Sequence, residues 1–228
     1  MMKPICVGTG WYSDSKGHNN KNVSTEMQGC NYLKNVWLQH IKRQIYAAAF
    51  VIYQSDCENK IFMVPEKNIN VIQGLRPPTQ HKHNDAAASM MASAMYAYCN
   101  EMSLVFIEQD CLVFGLRGAI EWARGKSIVY GTTPYADDLS RGENSFVFIN
   151  YEFIPTFFER MFRLNWHVWD KSRDFPEVIW NDTFKEVGTR WPFGFGRRRP
   201  INFELPMFYA QQLTDVELKQ FFIKLELQ

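Results

Sequence analysis

Two acidic side chains follow a strongly apolar segment in the middle of the chain. Glu108 and Asp110 come directly after residues 104–107, LVFI, and a second apolar run, residues 111–114, follows them. A short apolar run bounded by turn signals is typical of a buried strand, in which residues two positions apart point to the same face. Removing an ionised carboxylate from water is costly unless a cation or a hydrogen-bond donor compensates it. We therefore predict that Glu108 and Asp110 lie at the carboxyl end of a buried strand and together approach a cation.

The oxygen ligands of such a pair suit a hard divalent cation. Mg²⁺ is usually held by one or two carboxylates together with substrate phosphates, and Mn²⁺ accepts the same ligands. The alternative is that Glu108 and Asp110 open a solvated turn, as most isolated acid-x-acid motifs do. The apolar segments on both sides favour the cation site, because they hold the pair at the edge of a sheet.

Length and composition describe an ordinary globular protein. The chain has 228 residues, a formal net charge of +1 and 21% charged residues. This length favours a single domain, residues 1–228, over two small ones. A charge so close to neutrality gives no electrostatic case for non-specific nucleic-acid binding, so we expect no nucleic-acid partner.

The cysteines and the apolar segments indicate in which cellular compartment the protein is expected. The five cysteines are odd in number and widely spaced, which indicates neither a disulfide framework nor a zinc site. The opening residues, MMKPICVG, lack the apolar core of a signal peptide, and the longest apolar run, residues 45–53, is too short to span a bilayer. We expect reduced thiols, a cytoplasmic location and no transmembrane segment, while peripheral membrane contact stays open.

A strand, a helix and two more strands are predicted before the acids. Residues 3–8 predict the first strand, residues 30–47 an amphipathic helix, and residues 49–54 and 68–72 the next two strands. Strands that alternate with helices in this way are typical of nucleotide-binding sheets. We predict an α/β fold with a mixed, mostly parallel, Rossmann-like sheet flanked by helices.

Polar residues follow two of these strands, at the edge where open parallel sheets bind ligands. Gly8, Thr9 and Gly10 are predicted to form a flexible loop whose backbone amides meet phosphate or ribose oxygens. Asp56, after the second strand, is predicted to bind a base or a ribose hydroxyl. The alternatives are a plain turn at the glycines and a turn cap at Asp56.

A basic segment leads into the helix that precedes the acids. Arg76, Lys82 and His83 come before an alanine- and methionine-rich stretch of high helix propensity. With Asn84 or Asp85 as the N-cap, these cations cluster at a helix N-terminus, where free backbone amides favour anions. The segment is predicted to bind a diphosphate, and the alternative is a solvated charged loop.

Together these motifs resemble those of glycosyltransferases with the GT-A fold. The resemblance rests on the first-strand glycines, on Asp56, on the helix start that carries Asn84, and on the strand that runs into Glu108 and Asp110. It implies a nucleotide-diphosphate-sugar donor, with Asn84 among its contacts, and a divalent metal, Mn²⁺ or Mg²⁺, that the acid-x-acid motif holds on the diphosphate. Glu108 stands where the motif usually has aspartate. Three later segments share the resemblance: residues 141–149, 191–200 and 209–213.

The resemblance divides the chain into a donor-binding half, about residues 1–114, and an acceptor-binding half, about residues 115–228. The second half holds a Trp-rich segment, residues 165–170, whose rings suit stacking on sugar faces. GT-A enzymes often recruit a late histidine as an additional metal ligand, which implies this role for His167. The arginines at 197–199 are predicted to lie in a turn-rich loop, where they either clamp phosphate or stay solvated.

The predicted reaction is glycosyl transfer from a nucleotide-diphosphate sugar to a hydroxyl of a glycan or glycoconjugate. If the reaction inverts the anomeric centre, a carboxylate must accept the proton of that hydroxyl, and Glu143 is the first candidate and Asp170 the second. A retaining reaction needs no such base. Two alternatives remain: a sugar-nucleotide nucleotidyltransferase, which would normally carry a longer glycine-rich phosphate loop near its start, and a non-catalytic carbohydrate-binding protein, which needs no metal.

Overall fold

The computed structural model describes residues 3–12, 24, 32–55, 66–74, 82–131, 142–163 and 176–226. Within these ranges the chain forms nine strands and six α-helices. The strands are β1 (Ile5–Tyr12), β2 (Ala49–Ser55), β3 (Ile69–Gly74), β4 (Ser103–Ile107), β5 (Cys111–Phe114), β6 (Ile128–Gly131), β7 (Glu143–Ile149), β8 (Gly188–Arg190) and β9 (Phe208–Gln211). The helices are α1 (Leu38–Gln44), α2 (Lys82–Cys99), α3 (Leu116–Ala123), α4 (Ile154–Arg163), α5 (Pro176–Phe184) and α6 (Asp215–Glu226). A π-helical turn, Leu33–Trp37, leads directly into α1.

Seven strands form one mixed sheet in the order β3-β2-β1-β4-β7-β6-β8. Neighbouring strands are parallel, except that β7 is antiparallel to both β4 and β6. Leu104 of β4 therefore pairs with Ile149, and Ile107 pairs with Phe146. The first residues of β7 lie beside the last residues of β4, at the edge where β1 and β2 also end. The prediction of an α/β fold with a mixed, mostly parallel sheet is confirmed.

Helices cover both faces of this sheet, which explains the continuous apolar character of its central strands. Alternate side chains of β4 enter different cores. Val105 and Ile107 pack in the core that contains α1, α3 and α6, whereas Leu104 and Phe106 pack in the core that contains α2, α4 and α5. Because both faces are buried, polar groups reach a ligand only from the ends of the central strands.

Strand β1 is longer than the sequence predicts. It runs to Tyr12, so Gly8, Thr9 and Gly10 lie inside the strand, and all three are buried. The strand pairs with β2 on one side and with β4 on the other. The prediction of a flexible loop at these residues is wrong, because all three pair with β2 and Gly8 also pairs with β4, which overrides the local preference of glycine for turns.

Two other predicted boundaries move. Helix α2 begins at Lys82, so Asn84 and Asp85 lie in its first turn, and neither is the N-cap that the sequence predicts. The sequence predicts a strand only from Ser145 to Ile149, whereas β7 begins at Glu143. Both shifts extend a regular element toward the edge of the sheet at which Glu108 lies.

Helix α6 begins with a capping box formed by Thr214 and Glu217. The Glu217 backbone N–H donates to Thr214 Oγ1 over 3.3 Å, and the Thr214 N–H donates to Glu217 Oε2 over 2.9 Å. Phe221 anchors the helix in the core at 0% exposure. Among the described parts of the chain, no helix is both long and apolar enough to cross a membrane.

A second, two-stranded sheet consists of β5 and β9 in antiparallel pairing. Its register places Cys111 opposite Gln211. The backbone N–H of Gln212 donates to Asp110 O over 3.0 Å, which extends the contact to the turn that carries the acids. This small sheet therefore brings the C-terminal part of the chain to the end of β4.

Candidate functional site

Three carboxylates meet where β4 ends and β7 begins. Glu108 continues β4 by one residue, since its backbone N–H donates to Ser145 O over 2.9 Å. A tight turn follows, in which the Cys111 N–H donates to Glu108 O over 3.0 Å and Asp110 directly precedes β5. Glu143 enters from the first position of β7, close enough for its charge to act on Glu108. The antiparallel pairing of β4 with β7 is what brings acids from distant parts of the chain together.

The side chain of Gln211 joins two of these acids. Its Nε2 donates to Asp110 Oδ1 over 3.0 Å and also to Oε2 of Glu108, while its Oε1 accepts a hydrogen bond from Arg197 Nε over 3.3 Å. Gln211 is 2% exposed and Asp110 is 6% exposed. One amide nitrogen therefore lies between two carboxylates and offsets part of the free energy that their burial costs.

Burial raises the pKa of Glu108 to about 8, and the nearby charges of Asp110 and Glu143 add to this effect. Arg197 and the side-chain amide of Asn144 act in the opposite direction and lower the pKa. The Asn144 Nδ2 donates to Glu108 Oε1 over 2.8 Å. Acids held this close in a shielded place are typical of sites that bind a cation or a proton.

Glu143 is more enclosed than a base that meets a substrate should be. Its side chain is 4% exposed, and the Tyr209 hydroxyl donates to its Oε2 over 3.5 Å. A β-carbon at Gly196 would lie 2.1 Å from the same oxygen, so the backbone passes over the carboxylate where only glycine fits. A general base must come within hydrogen-bond reach of the proton that it takes. The role of Glu143 as the base stays a prediction.

Aromatic and thiol groups line the inner side of the acid turn. The Trp37 indole Nε1 donates to the backbone oxygen of Glu108 over 3.2 Å. Burial raises the pKa of the Tyr32 hydroxyl well above its usual range, and the charge of Asp110 adds to this effect. Burial likewise raises the pKa of the Cys111 thiol well above its usual range, and the charge of Glu143 adds to this effect. Cys111 is therefore a protonated core thiol and not a nucleophile.

The carboxylate pair supplies part of the ligand set of a divalent cation. Oxygens of Glu108 and Asp110 converge on a single atom, the amide nitrogen of Gln211, and two carboxylates with substrate phosphates are a common ligand set for Mg²⁺. Within the described ranges, no group of three or more histidine, cysteine, aspartate or glutamate side chains is arranged to hold a metal. The predicted additional ligand, His167, lies outside those ranges. The pair thus fits a cation that completes its shell with other ligands.

The structure describes only some of the remaining predicted site residues. The backbone of Lys82, His83 and Asn84 forms the first turn of α2. Their predicted contacts with a donor stay predictions. Three further predicted residues lie outside the described ranges: Asp56, Arg76 and Asp170.

The three consecutive arginines have different environments. Arg199 forms an ion pair with Glu217, with 2.5 Å between Nε and Oε1, and its Nη2 donates to two backbone carbonyls at the end of β9. Arg198 donates to a backbone carbonyl of its own loop. Arg197 donates instead to the side chain of Gln211. Arg199 is thus a structural residue, and Arg197 is the arginine of this run that extends the acid site.

Sequence reasoning missed Gln211, Asn144 and Tyr209 as site residues. Gln211 lies 101 residues after Asp110 and reaches it only through the pairing of β5 with β9. One signal was present, because Gln211 ends a short apolar segment that is buried throughout. A buried amide needs hydrogen-bond partners, so a glutamine in such a strand indicates a polar neighbour.

Comparisons with known proteins support the fold. No protein-family model and no curated protein sequence matches this chain. The inositol-1-phosphate CTP transferase from T. maritima superposes with a TM-score of 0.54 and 11% identity, over 96% of this chain and 94% of that one. The apo-form glycosyltransferase GlyE from Streptococcus pneumoniae TIGR4 superposes with a TM-score of 0.50 and 13% identity, over 86% of this chain and 47% of that one. This chain therefore spans about half the length of GlyE, and at these identities the likeness shows a common fold alone.

Proposed function

We propose that this protein transfers a sugar from a nucleotide-diphosphate sugar to a hydroxyl of a glycan or glycoconjugate, assisted by Mn²⁺ or Mg²⁺. The observation that carries the proposal is the convergence of Glu108 and Asp110 on one point. That point lies at the carboxyl ends of the parallel strands β1, β2 and β4. Open α/β sheets bind nucleotides at this edge, so a diphosphate there would lie next to the acid pair.

Glu108 and Asp110 are proposed to hold the cation, with His167 as a further protein ligand. A bound divalent cation neutralises charge on the departing diphosphate, which is worth several kcal/mol of the barrier. When ionised, the two carboxylates provide acceptor oxygens only, and the orientation of Glu108 is set in advance by Asn144. This preorganisation supports a site that binds charge at a fixed place.

Other residues around the same edge are proposed to bind the donor. Lys82 and His83 belong to the first turn of α2, and helix N-termini favour anions. Arg197 is exposed next to the acids, and guanidinium groups bind phosphate oxygens in pairs. Gly8, Thr9 and Gly10 are left out of this proposal, since they are buried inside β1. The proposed donor contacts also include Asp56, Arg76 and Asn84.

A base for the acceptor hydroxyl is needed only if the reaction inverts the sugar. The sequence ranks Glu143 before Asp170. The burial of Glu143 beneath Gly196 favours the reverse order, because an acceptor hydroxyl has no approach to the Glu143 carboxylate unless that cover moves. We therefore propose Asp170 as the base of an inverting reaction.

Nucleotidyl transfer is the nearest alternative, since the same fold serves it. Such enzymes normally carry a glycine-rich phosphate loop after the first strand. In this chain Gly8 and Gly10 lie inside β1 and do not form such a loop, and the residues that follow β1 lie outside the described ranges. The two reactions also release different products, a nucleoside diphosphate from glycosyl transfer and pyrophosphate from nucleotidyl transfer.

Thermal unfolding with UDP-, GDP- and TDP-sugars, with and without Mn²⁺, tests the proposal. A ligand at 100 times its dissociation constant adds about 2.7 kcal/mol to the free energy of unfolding. We expect one of these donors to stabilise the protein only when Mn²⁺ is present. Asp110→Asn should lose this response and remain folded, and Glu108→Gln should show the same loss or a smaller one. Asp215→Asn, which changes an exposed carboxylate at the start of α6, is the matched control and should respond like the wild type.

Two results would remove the proposal. One is full turnover with an unchanged metal response in Asp110→Asn. The other is the absence of any metal-dependent shift with every donor, which would favour a carbohydrate-binding protein. Release of pyrophosphate when the protein is given a nucleoside triphosphate and a sugar 1-phosphate would assign nucleotidyl transfer.

The role of His167 is tested separately by hydrolysis of the donor to water, which needs the metal and the donor but no acceptor. Imidazole suits Mn²⁺ better than Mg²⁺, since Mg²⁺ prefers oxygen ligands. His167→Ala should therefore reduce Mn²⁺-supported hydrolysis more than Mg²⁺-supported hydrolysis. Normal hydrolysis with both metals would exclude the metal role and leave a role in binding the acceptor.

A further inference from the structure

The position of Gln211 is fixed from several sides. Its backbone N–H donates to Gly196 O over 2.8 Å, and its backbone oxygen accepts a hydrogen bond from Arg199 Nη2 over 3.0 Å. Its side-chain oxygen accepts from Arg197, so the amide nitrogen is the atom that faces the acids. The main chain is thus anchored within β9, and only rotation about the side-chain bonds can move the amide.

The amide nitrogen of Gln211 stands where a cation shared by Glu108 and Asp110 would stand. It contacts one oxygen of each carboxylate. Carboxylates hold Mg²⁺ at roughly 2.0–2.1 Å, so an ion bound by both oxygens would lie in the space that the amide nitrogen fills. The two cannot occupy that space together. We infer that Gln211 and the divalent cation compete for the same two carboxylates, so that the cation binds only after the Gln211 side chain has turned away.

This inference deepens the proposed function, on which it rests for the identity of the metal, and it gives Gln211 a regulatory role in the same site. Without a cation, the amide donates to one oxygen of each of the two acids, with Glu143 beside them. When the cation displaces the amide, Gln211 also gives up its bond to Arg197. Arg197 is also one of the proposed donor contacts, so movement of Gln211 changes the surroundings of a residue that is proposed to bind the donor. Metal binding and donor binding are coupled through one side chain.

Calorimetric titration with MnCl₂ alone, in the absence of any nucleotide, tests the competition directly. Gln211→Ala removes the amide and should bind Mn²⁺ at least tenfold more tightly than the wild type. Gln220→Ala makes the same chemical change at an exposed position of α6 and should bind Mn²⁺ as the wild type does. Gln211→Met keeps the length of the side chain but lacks the donor, and it should also gain at least tenfold in affinity.

Thermal unfolding provides a second measurement that does not depend on activity. Both Gln211 variants should melt at a lower temperature than the wild type without metal, because the carboxylates lose their donor. Mn²⁺ should raise the melting temperature of the variants more than that of the wild type. If Gln211→Ala cannot be purified as a folded protein, Gln211→Met carries the test alone.

The outcomes separate this inference from the proposed function. Equal Mn²⁺ affinity in the wild type and in both Gln211 variants would overturn the inference and leave the proposed function standing. No Mn²⁺ binding by any of these proteins would overturn the inference together with the metal role in the proposed function. Tighter Mn²⁺ binding by the variants, with no nucleotide sugar bound by the wild type, would support the inference and count against the proposed function.

Discussion

Gly8 of β1 lies directly against Ser93 of α2. A β-carbon at Gly8 would come within 2.4 Å of both Cβ and Oγ of Ser93, and within 3.2 Å of a methyl group of Leu104. The Ser93 hydroxyl in turn donates to Ser89 O within the helix, over 2.7 Å. The glycine is therefore required for the helix to approach the sheet closely, and this explains its presence without any ligand.

Gly8→Ala should destabilise the protein by about 1–3 kcal/mol, the usual range for an added methyl group in a packed core. Urea unfolding measures this change in free energy. Combining Gly8→Ala with Ser93→Gly removes the opposing β-carbon, so the two substitutions together should destabilise less than the sum of the single ones. If the double variant were destabilised by the full sum of the two single effects, Ser93 would not be the residue that opposes the added methyl group.

Gly118→Ala is the matched control for this packing argument. Gly118 lies within α3 and is exposed, and its added β-carbon would make only an ordinary contact, 3.5 Å from Met207 Sδ. Alanine in a helix interior is favoured over glycine by about 0.5–1 kcal/mol. The same chemical change should therefore stabilise the protein here. Destabilisation of similar size at both positions would contradict the assignment of a special contact to Gly8.

The arginine run should separate into structural and functional members. Arg199→Ala breaks the ion pair with Glu217 and two hydrogen bonds to backbone carbonyls, and we expect it to reduce the free energy of unfolding by about 1–2 kcal/mol. Arg197→Ala removes the donor to the buried side-chain oxygen of Gln211, so it should lower the free energy of unfolding by about 1 kcal/mol, and it should weaken donor binding by roughly tenfold. Urea unfolding and donor titration in the presence of Mn²⁺ measure the two effects. The opposite pattern would place Arg199 in the donor site.

His40 gives the protein a specific dependence on pH. The residue is 4% exposed, and its Nε2 donates to Val113 O over 2.7 Å. Burial lowers the pKa of His40 from 6.5 to about 4, against the smaller opposing effect of this hydrogen bond. In the unfolded chain His40 binds a proton more readily than in the folded protein. Its contribution to stability is therefore complete above pH 6.5 and is lost as the pH falls toward 4.

His40→Gln should remove this loss, because glutamine can donate to Val113 O but does not titrate. A pKa lowered this far corresponds to about 3 kcal/mol, so the wild type should lose up to that amount relative to the variant between neutral pH and pH 4. Urea unfolding of both proteins across this pH range measures the difference in their free energies of unfolding. The carboxylates titrate alike in the two proteins, so their effect largely cancels in this difference. Parallel curves would show that His40 keeps an ordinary pKa in the folded protein.

Much of the sheet could be predicted from the sequence because the signals are local. Apolar runs bounded by polar residues indicated β2 and β4, and the acids after β4 indicated its carboxyl end. Gly8 to Gly10 misled the prediction for the opposite reason. Glycine and threonine there have turn character, yet their conformation is decided by two neighbouring strands and a covering helix, which no local pattern records.

The candidate site could be predicted only in part, because its second half comes from pairings distant in the chain. Glu108 and Asp110 stand out by their place between apolar runs. Gln211 reaches them through the β5–β9 pairing and has no local feature of an active-site residue. Asn144 meets Glu108 because β7 runs antiparallel to β4, and the sequence does not state which strands are neighbours.

Glu143 provides the last prediction, since the sequence and the structure point to different roles for it. Its carboxylate is buried beside Tyr209 and beneath Gly196, where an acceptor has no approach, whereas Asp170 belongs to the Trp-rich segment. For an inverting reaction, we expect Glu143→Gln to keep acceptor-dependent turnover within about tenfold of the wild type. Asp170→Asn should lower turnover by about 10²-fold or more, the size of effect that loss of a general base produces.

The measurement is the rate of transfer at saturating donor and acceptor, with the donor dissociation constant determined in parallel for each variant. A true base changes the turnover number and leaves donor affinity nearly unaltered. The control is the melting temperature, which shows whether either variant has lost its fold. A loss of about 10²-fold in Glu143→Gln, with donor affinity and melting temperature unchanged, would return the base role to Glu143. It would also mean that the backbone at Gly196 moves away during the reaction, because the carboxylate could not otherwise meet an acceptor.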